Sequence, residues 1–146
     1  MPKRQPRLSR LHPGRSGLEL ALGDLEAAIM RIFWDSSEPM CVEDVRAALE
    51  AGGRKAAYTT VMTTLARLHS KGLLERRMKG RAYHYRAAMS EAEFGESVSR
   101  AALDGLLDAF TEPAVAYFVE ALGARDPAQL DLLAELIERK KREKQT

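Results

Sequence analysis

Four threonines fall within six positions of "YTTVMTTLARL" (Thr59, Thr60, Thr63 and Thr64), and six cations follow: Arg67, Lys71, Arg76, Arg77, Lys79 and Arg81. β-Branched side chains lower helix propensity by about 0.5 kcal/mol per Thr, so a segment with helical spacing that carries four of them needs a compensating role. Their chemistry suggests one. A hydroxyl can bond a phosphate or a base edge, and a methyl can meet the thymine methyl. Arginine and lysine neutralise phosphates. One good base contact discriminates by about 1–3 kcal/mol, more than the propensity cost. The first reading is therefore a segment that touches duplex DNA, with Tyr58, at the edge of its core-facing side, among the groups expected to meet phosphates with the cations.

Other chemistries find little support. The chain has no nucleophile elbow, phosphate-binding loop or zinc motif, and its Asp and Glu residues are dispersed over solvent-facing helix positions. Neither an enzyme nor a cofactor is expected. His12, His69 and His84 lack helical or Cys-x2-Cys-type metal spacing, so no metal site is expected either. The single Cys41 excludes an intramolecular disulfide and fits a reducing, cytoplasmic compartment. It reads as a small, partly buried residue. Trp34 reads as core or junction packing, not as a stacking platform.

Charge along the chain sharpens the picture. Residues 54–86 hold nine Lys or Arg and one Glu, a net of +8. The blocks on either side are −6 (residues 18–53) and −9 (residues 87–138). Such segregation points to a polyanionic partner, whereas an ordinary solvated surface mixes its signs. Residues 1–17 carry a further +5 with Pro and Gly, which predicts a basic, flexible arm. No apolar run is long enough for a membrane span or a signal segment, so no membrane insertion is expected.

The elements that must position these groups follow from periodicity. Leu22, Leu25, Ile29, Ile32 and Phe33 predict a first helix opening at Gly23 or Asp24. Val42, Val45 and Leu49 predict a second, stopped at Gly52-Gly53; Val61, Leu65 and Leu68 predict a third, closed by Gly72. Opposite that last stripe lie Thr59, Thr63, Ala66, Arg67 and Ser70, with Thr60 alongside. Then the period shortens: "LLERRM" and "AYHYRAA" flank "KGR", two strands joined through Gly80, a basic wing.

From Ser90 the helical period returns in three segments: one capped by Ser90 and Glu93, one beginning near Pro113, and one capped by Asp126. Their apolar positions include Leu103, Leu106, Leu107, Phe110, Val115, Phe118, Leu122, Leu130, Leu133 and Ile137, more than these helices can cover alone. A second copy of the chain is the expected cover. The expected architecture is mostly α with a small β-hairpin. A winged helix-turn-helix DNA-binding domain (18–88) is followed by a C-terminal three-helix dimerisation region (89–146).

Residues 22–94, above all "IFW" at 32–34, "YTTVMTTLARLHSKGLL" and "GRAYHYR", resemble the DNA-binding half of the penicillinase and methicillinase repressors (BlaI/MecI type). The C-terminal helices agree in order and length. The resemblance implies a homodimer that binds a palindromic double-stranded operator and represses transcription, of β-lactamase or cell-envelope genes. It assigns base reading to Thr59, Thr60, Met62 and Thr63 and a phosphate to Arg67. Some relatives carry Arg where this chain has Met62, which implies a different operator sequence. It also implies release by a membrane-bound sensor protease that cuts an Asn-Phe bond in the fifth helix. The matching position is Tyr117-Phe118, a departure from that pattern. Two alternatives remain beside it. An effector could bind the C-terminal helices directly. A copper-responsive sister branch carries C-terminal cysteines, which this chain lacks.

Overall fold

A computed structural model describes residues 17–145; the expected basic arm lies almost wholly outside them. A single 3-10 turn, Gly17–Leu20, leads into α1 (Asp24–Asp35), α2 (Val42–Ala51) and α3 (Tyr58–Ser70). The hairpin strands β1 (Leu74–Lys79) and β2 (Ala82–Ala87) follow, then α4 (Glu91–Arg125) and α5 (Pro127–Lys144). Helix, helix, helix and hairpin make a winged helix. Among the described residues no helix is long and apolar enough to cross a membrane.

The winged helix closes on one core. Ile29, Met30 and Phe33 of α1 meet Val45 and Leu49 of α2 and Val61, Leu65 and Leu68 of α3, all buried. The expected stripe on α3 thus faces inward, and Thr64 joins it, its hydroxyl donating to the Thr60 carbonyl at 2.7 Å. That bond satisfies the one polar atom the position buries.

Gly72 (φ +88) ends α3 because the left-handed turn lets two amides double back, Leu73 N–H to Leu68 O and Gly72 N–H to His69 O, both at 3.0 Å. Gly80 (φ +67) takes the first position of the two-residue hairpin loop, where positive φ matches the strand twist. The wing is further tied to the body by a bridge that periodicity does not reveal. Met40 and Tyr85 exchange two backbone hydrogen bonds of 2.9 and 2.8 Å.

Two compact units divide at Arg100–Ala101, inside α4. The first retains the opening turns of α4 because Phe94 is buried in the winged-helix core, 5.6 Å from the Trp34 ring. The Trp34 indole N–H donates to the Met89 carbonyl at 2.9 Å, which bears out its reading as packing.

The second unit is helical, with a fracture. Phe110 leaves helical geometry (φ −141, ψ 53), and the chain resumes its helix at Thr111. Pro113 explains the place: it has no N–H to offer a preceding carbonyl, and its ring is tolerated only in a first turn. The helix expected to begin near Pro113 therefore starts about half a turn earlier, at Thr111. Here Leu103, Leu106, Leu107, Phe110, Val115, Phe118 and Ile137 are exposed, while Leu122, Leu130 and Leu133 are half-buried.

Candidate nucleic-acid interface

The outward face of α3 carries Tyr58, Thr59, Thr60, Met62, Thr63 and Arg67, all exposed. No side chain caps its N-terminus, and its first turn has no acidic residue. The first amides of α3 are left for an external acceptor, with the positive end of the helix dipole behind them. Thr63 donates its hydroxyl to the Thr59 carbonyl at 2.9 Å. What it presents outward is therefore a methyl group and oxygen lone pairs, suited to the thymine methyl and to base amino groups. The N-terminal turn of α1 borders this face: Gly23, Asp24, Leu25 and Glu26 line an open groove with Thr59, Thr60, Thr63, Thr64 and Arg67.

The expected cations do not form one group. Lys71 must be withdrawn from the phosphate-facing set: its ammonium lies 2.7 Å from Glu26, with the two side chains only 14% and 10% exposed. Glu26 also accepts the Gly23 N–H at 3.2 Å, so one carboxylate pins α1 to the end of α3. Expected result: Glu26→Ala costs about 3 kcal/mol, the cost of leaving a half-desolvated charge unpaired. The double variant Glu26→Leu/Lys71→Met recovers most of that loss, because it removes both charges. Urea unfolding of the three proteins checks both statements.

Strand alternation divides the wing cations between two faces. Arg77 and Lys79 share a face with Glu75, His84 and Arg86, and there Arg86 pairs with Glu75 at 3.0 Å. Arg76 lies on the opposite face, its guanidinium 4.2 Å from the centre of the Tyr83 ring, a cation–π stack. Met78 (57% exposed) and Tyr83 (40% exposed) pair across the strands beside it, an apolar wing face that charge counting passes over. Arg67, Arg77, Lys79 and Arg81 are exposed.

Tyr117 and Phe118 are exposed within continuous helix past the Phe110 fracture. Separately, the fold gathers Cys41, Asp44 and His84, which their spacing in the chain does not associate.

Comparison with known proteins adds the following. The profile of the family described as penicillinase repressor matches residues 22–139. The transcriptional regulator BlaI of Mycobacterium tuberculosis is 39% identical over 117 residues, 79% of this chain and 84% of that protein, in both strains compared. A solution structure of the DNA-binding domain of the repressor BlaI aligns with 49% of this chain and 85% of that chain, at 26% identity and TM-score 0.43. The Bacillus licheniformis BlaI monomer in complex with a half-operator aligns over the same shares at 26% identity and TM-score 0.41.

Proposed function

The chain belongs to the penicillinase repressor family of DNA-binding transcriptional regulators, and on that premise we propose that it binds a palindromic operator as a homodimer, with α3 in the major groove. The observation that carries this is the outward face of α3: small side chains, an uncapped N-terminus and Arg67 at its edge. Thr59, Thr60, Met62 and Thr63 read bases, Arg67 takes a phosphate, and Arg77, Lys79 and Arg81 follow the backbone from the wing. A helix that simply faced solvent has no use for three exposed threonines and a bare first turn.

Dimerisation is supported by the second unit, whose exposed Leu103, Leu106, Leu107, Phe110, Val115 and Phe118 repeat along α4. Two copies also supply the two half-sites a palindrome requires. The regulated genes, on this reading, are those of a β-lactamase or of the cell envelope. Release follows from cleavage in the C-terminal region by a membrane-bound sensor protease, with Tyr117-Phe118 as the candidate bond. The cytoplasm is where such a regulator meets its operator.

The test is binding of the purified full chain to the DNA upstream of its own gene, across a series of salt concentrations. Thr63→Ala is expected to alter the preferred bases, with a loss of about 1–3 kcal/mol at the sites it reads. Arg67→Ala is expected to weaken every duplex alike and to flatten the salt dependence. DNA affinity unchanged in both variants rules out the groove assignment, and a strictly monomeric protein at micromolar concentration rules out the dimer.

A further inference from the structure

We propose that Cys41, Asp44 and His84 form a binding site for a divalent transition-metal ion, Zn2+ being the best chemical match. One ligand atom from each residue lies within 4.8 Å of the other two. Donors around a tetrahedral zinc ion at its usual bond lengths stand about 3.5 Å apart, so side-chain rotation of about 1 Å closes the set.

The backbone holds the donors in register. Met40 and Tyr85 are bridged in antiparallel fashion, which makes the next residues along, Cys41 and His84, direct cross-strand neighbours. Asp44 is fixed from the other side: one of its carboxylate oxygens accepts the Cys41 N–H at 3.0 Å, which holds the carboxylate beside the Cys41 thiol. The His84 Nδ1 atom is buried and has no hydrogen-bond partner. A buried imidazole nitrogen in that condition costs free energy until something occupies it.

The donor set selects the ion. Thiolate, imidazole and carboxylate together suit Zn2+, whereas Mg2+ and Ca2+ take oxygen ligands and Cu(I) prefers several thiolates. Thiolate and carboxylate balance the charge of a dication, and with three protein donors the fourth position falls to water or an anion. Such an ion cross-links the start of α2 to the middle of β2 and so stiffens the attachment of the wing.

The experiment needs no DNA and stands apart from the operator reading. Full-length chain, stripped with a chelator, is titrated with Co2+ as the spectroscopic substitute for Zn2+. Expected are one Co2+ per chain, a thiolate-to-cobalt charge-transfer band, and loss of that band when Zn2+ is added. The near-isosteric Cys41→Ser abolishes the band. His84→Gln weakens Co2+ by tenfold or more, the order seen when a metal site is disturbed. His69→Gln, at a histidine that lines an open groove together with Asp44 and His84, leaves both band and affinity unchanged. A wild-type protein with no charge-transfer band overturns the proposal. So does a His84→Gln protein that binds Co2+ as tightly as wild type, or a His69→Gln protein that loses the band.

Discussion

Phe94→Ala lowers the stability of the winged helix by about 3–5 kcal/mol, the range for emptying an aromatic-sized space in a packed core. Phe94 is 2% exposed and belongs to α4, yet it packs in the core built by α1–α3 and the hairpin, with its ring tilted against Trp34. Few side chains can move in to fill the space, because Phe94 belongs to a closed core whose other members are buried side chains of the winged helix. Trp34, the only tryptophan in the chain, reports the loss directly through its fluorescence. At a urea slope of roughly 1–3 kcal/mol per molar, the unfolding midpoint falls by more than about 1 M. An unchanged midpoint means that Phe94 contributes no packing, and with it fails the account of why the first compact unit extends into α4.

The second large effect is expected at the wing. Replacing Arg77, Lys79 and Arg81 together by alanine removes three exposed cations from each protomer. If each meets a phosphate, a dimer loses six contacts, and the slope of log affinity against log salt becomes shallower by about 5, at roughly 0.9 per contact. Between about 50 and 200 mM salt the wild type therefore loses on the order of a thousandfold more affinity than the variant. The fold is unaffected, because the strand register rests on Leu74, Tyr85 and the Met40 bridge, not on these side chains. Anisotropy of a labelled operator across the salt series measures both numbers. A slope equal to that of wild type removes the wing from the interface and leaves α3 to account for binding.

What could be read from the residues was what local spacing encodes. The stripe Val61, Leu65 and Leu68 has the helical period, and the turn at Gly80 sits between two strand-like runs, so both elements and their inner faces were legible. Pairings between distant positions were not. Lys71 carries no sign that it meets Glu26, 45 residues earlier, and a count of cations places it on DNA. Met40 looks like part of a break and proves to be a strand partner of Tyr85. Cys41 and Asp44 acquire His84 only through that bridge. Thr64 is a case between these: its neighbours announce a polar face, but its own angle on the helix takes it inward, where an intrahelical bond makes its hydroxyl acceptable. The C-terminal helices were legible as apolar and periodic, and the position of the fracture was legible only approximately, because a proline disrupts backbone one turn away from itself.

The fracture at Phe110 has a mechanical side. Past it, the helix begins afresh with Thr111, Glu112 and Pro113, and the Thr111 hydroxyl reaches back to the Leu107 carbonyl across the gap. A proteolytic cleft accepts extended backbone and not a coil, so on the proposed release by a protease, scission between Tyr117 and Phe118 waits for several residues to unwind. Starting that unwinding inside an intact rod means tearing paired amides on both sides. Starting it at a seam already open means peeling from one end, like a rope frayed where it was once cut, and the bond in question lies only about two turns from the cut.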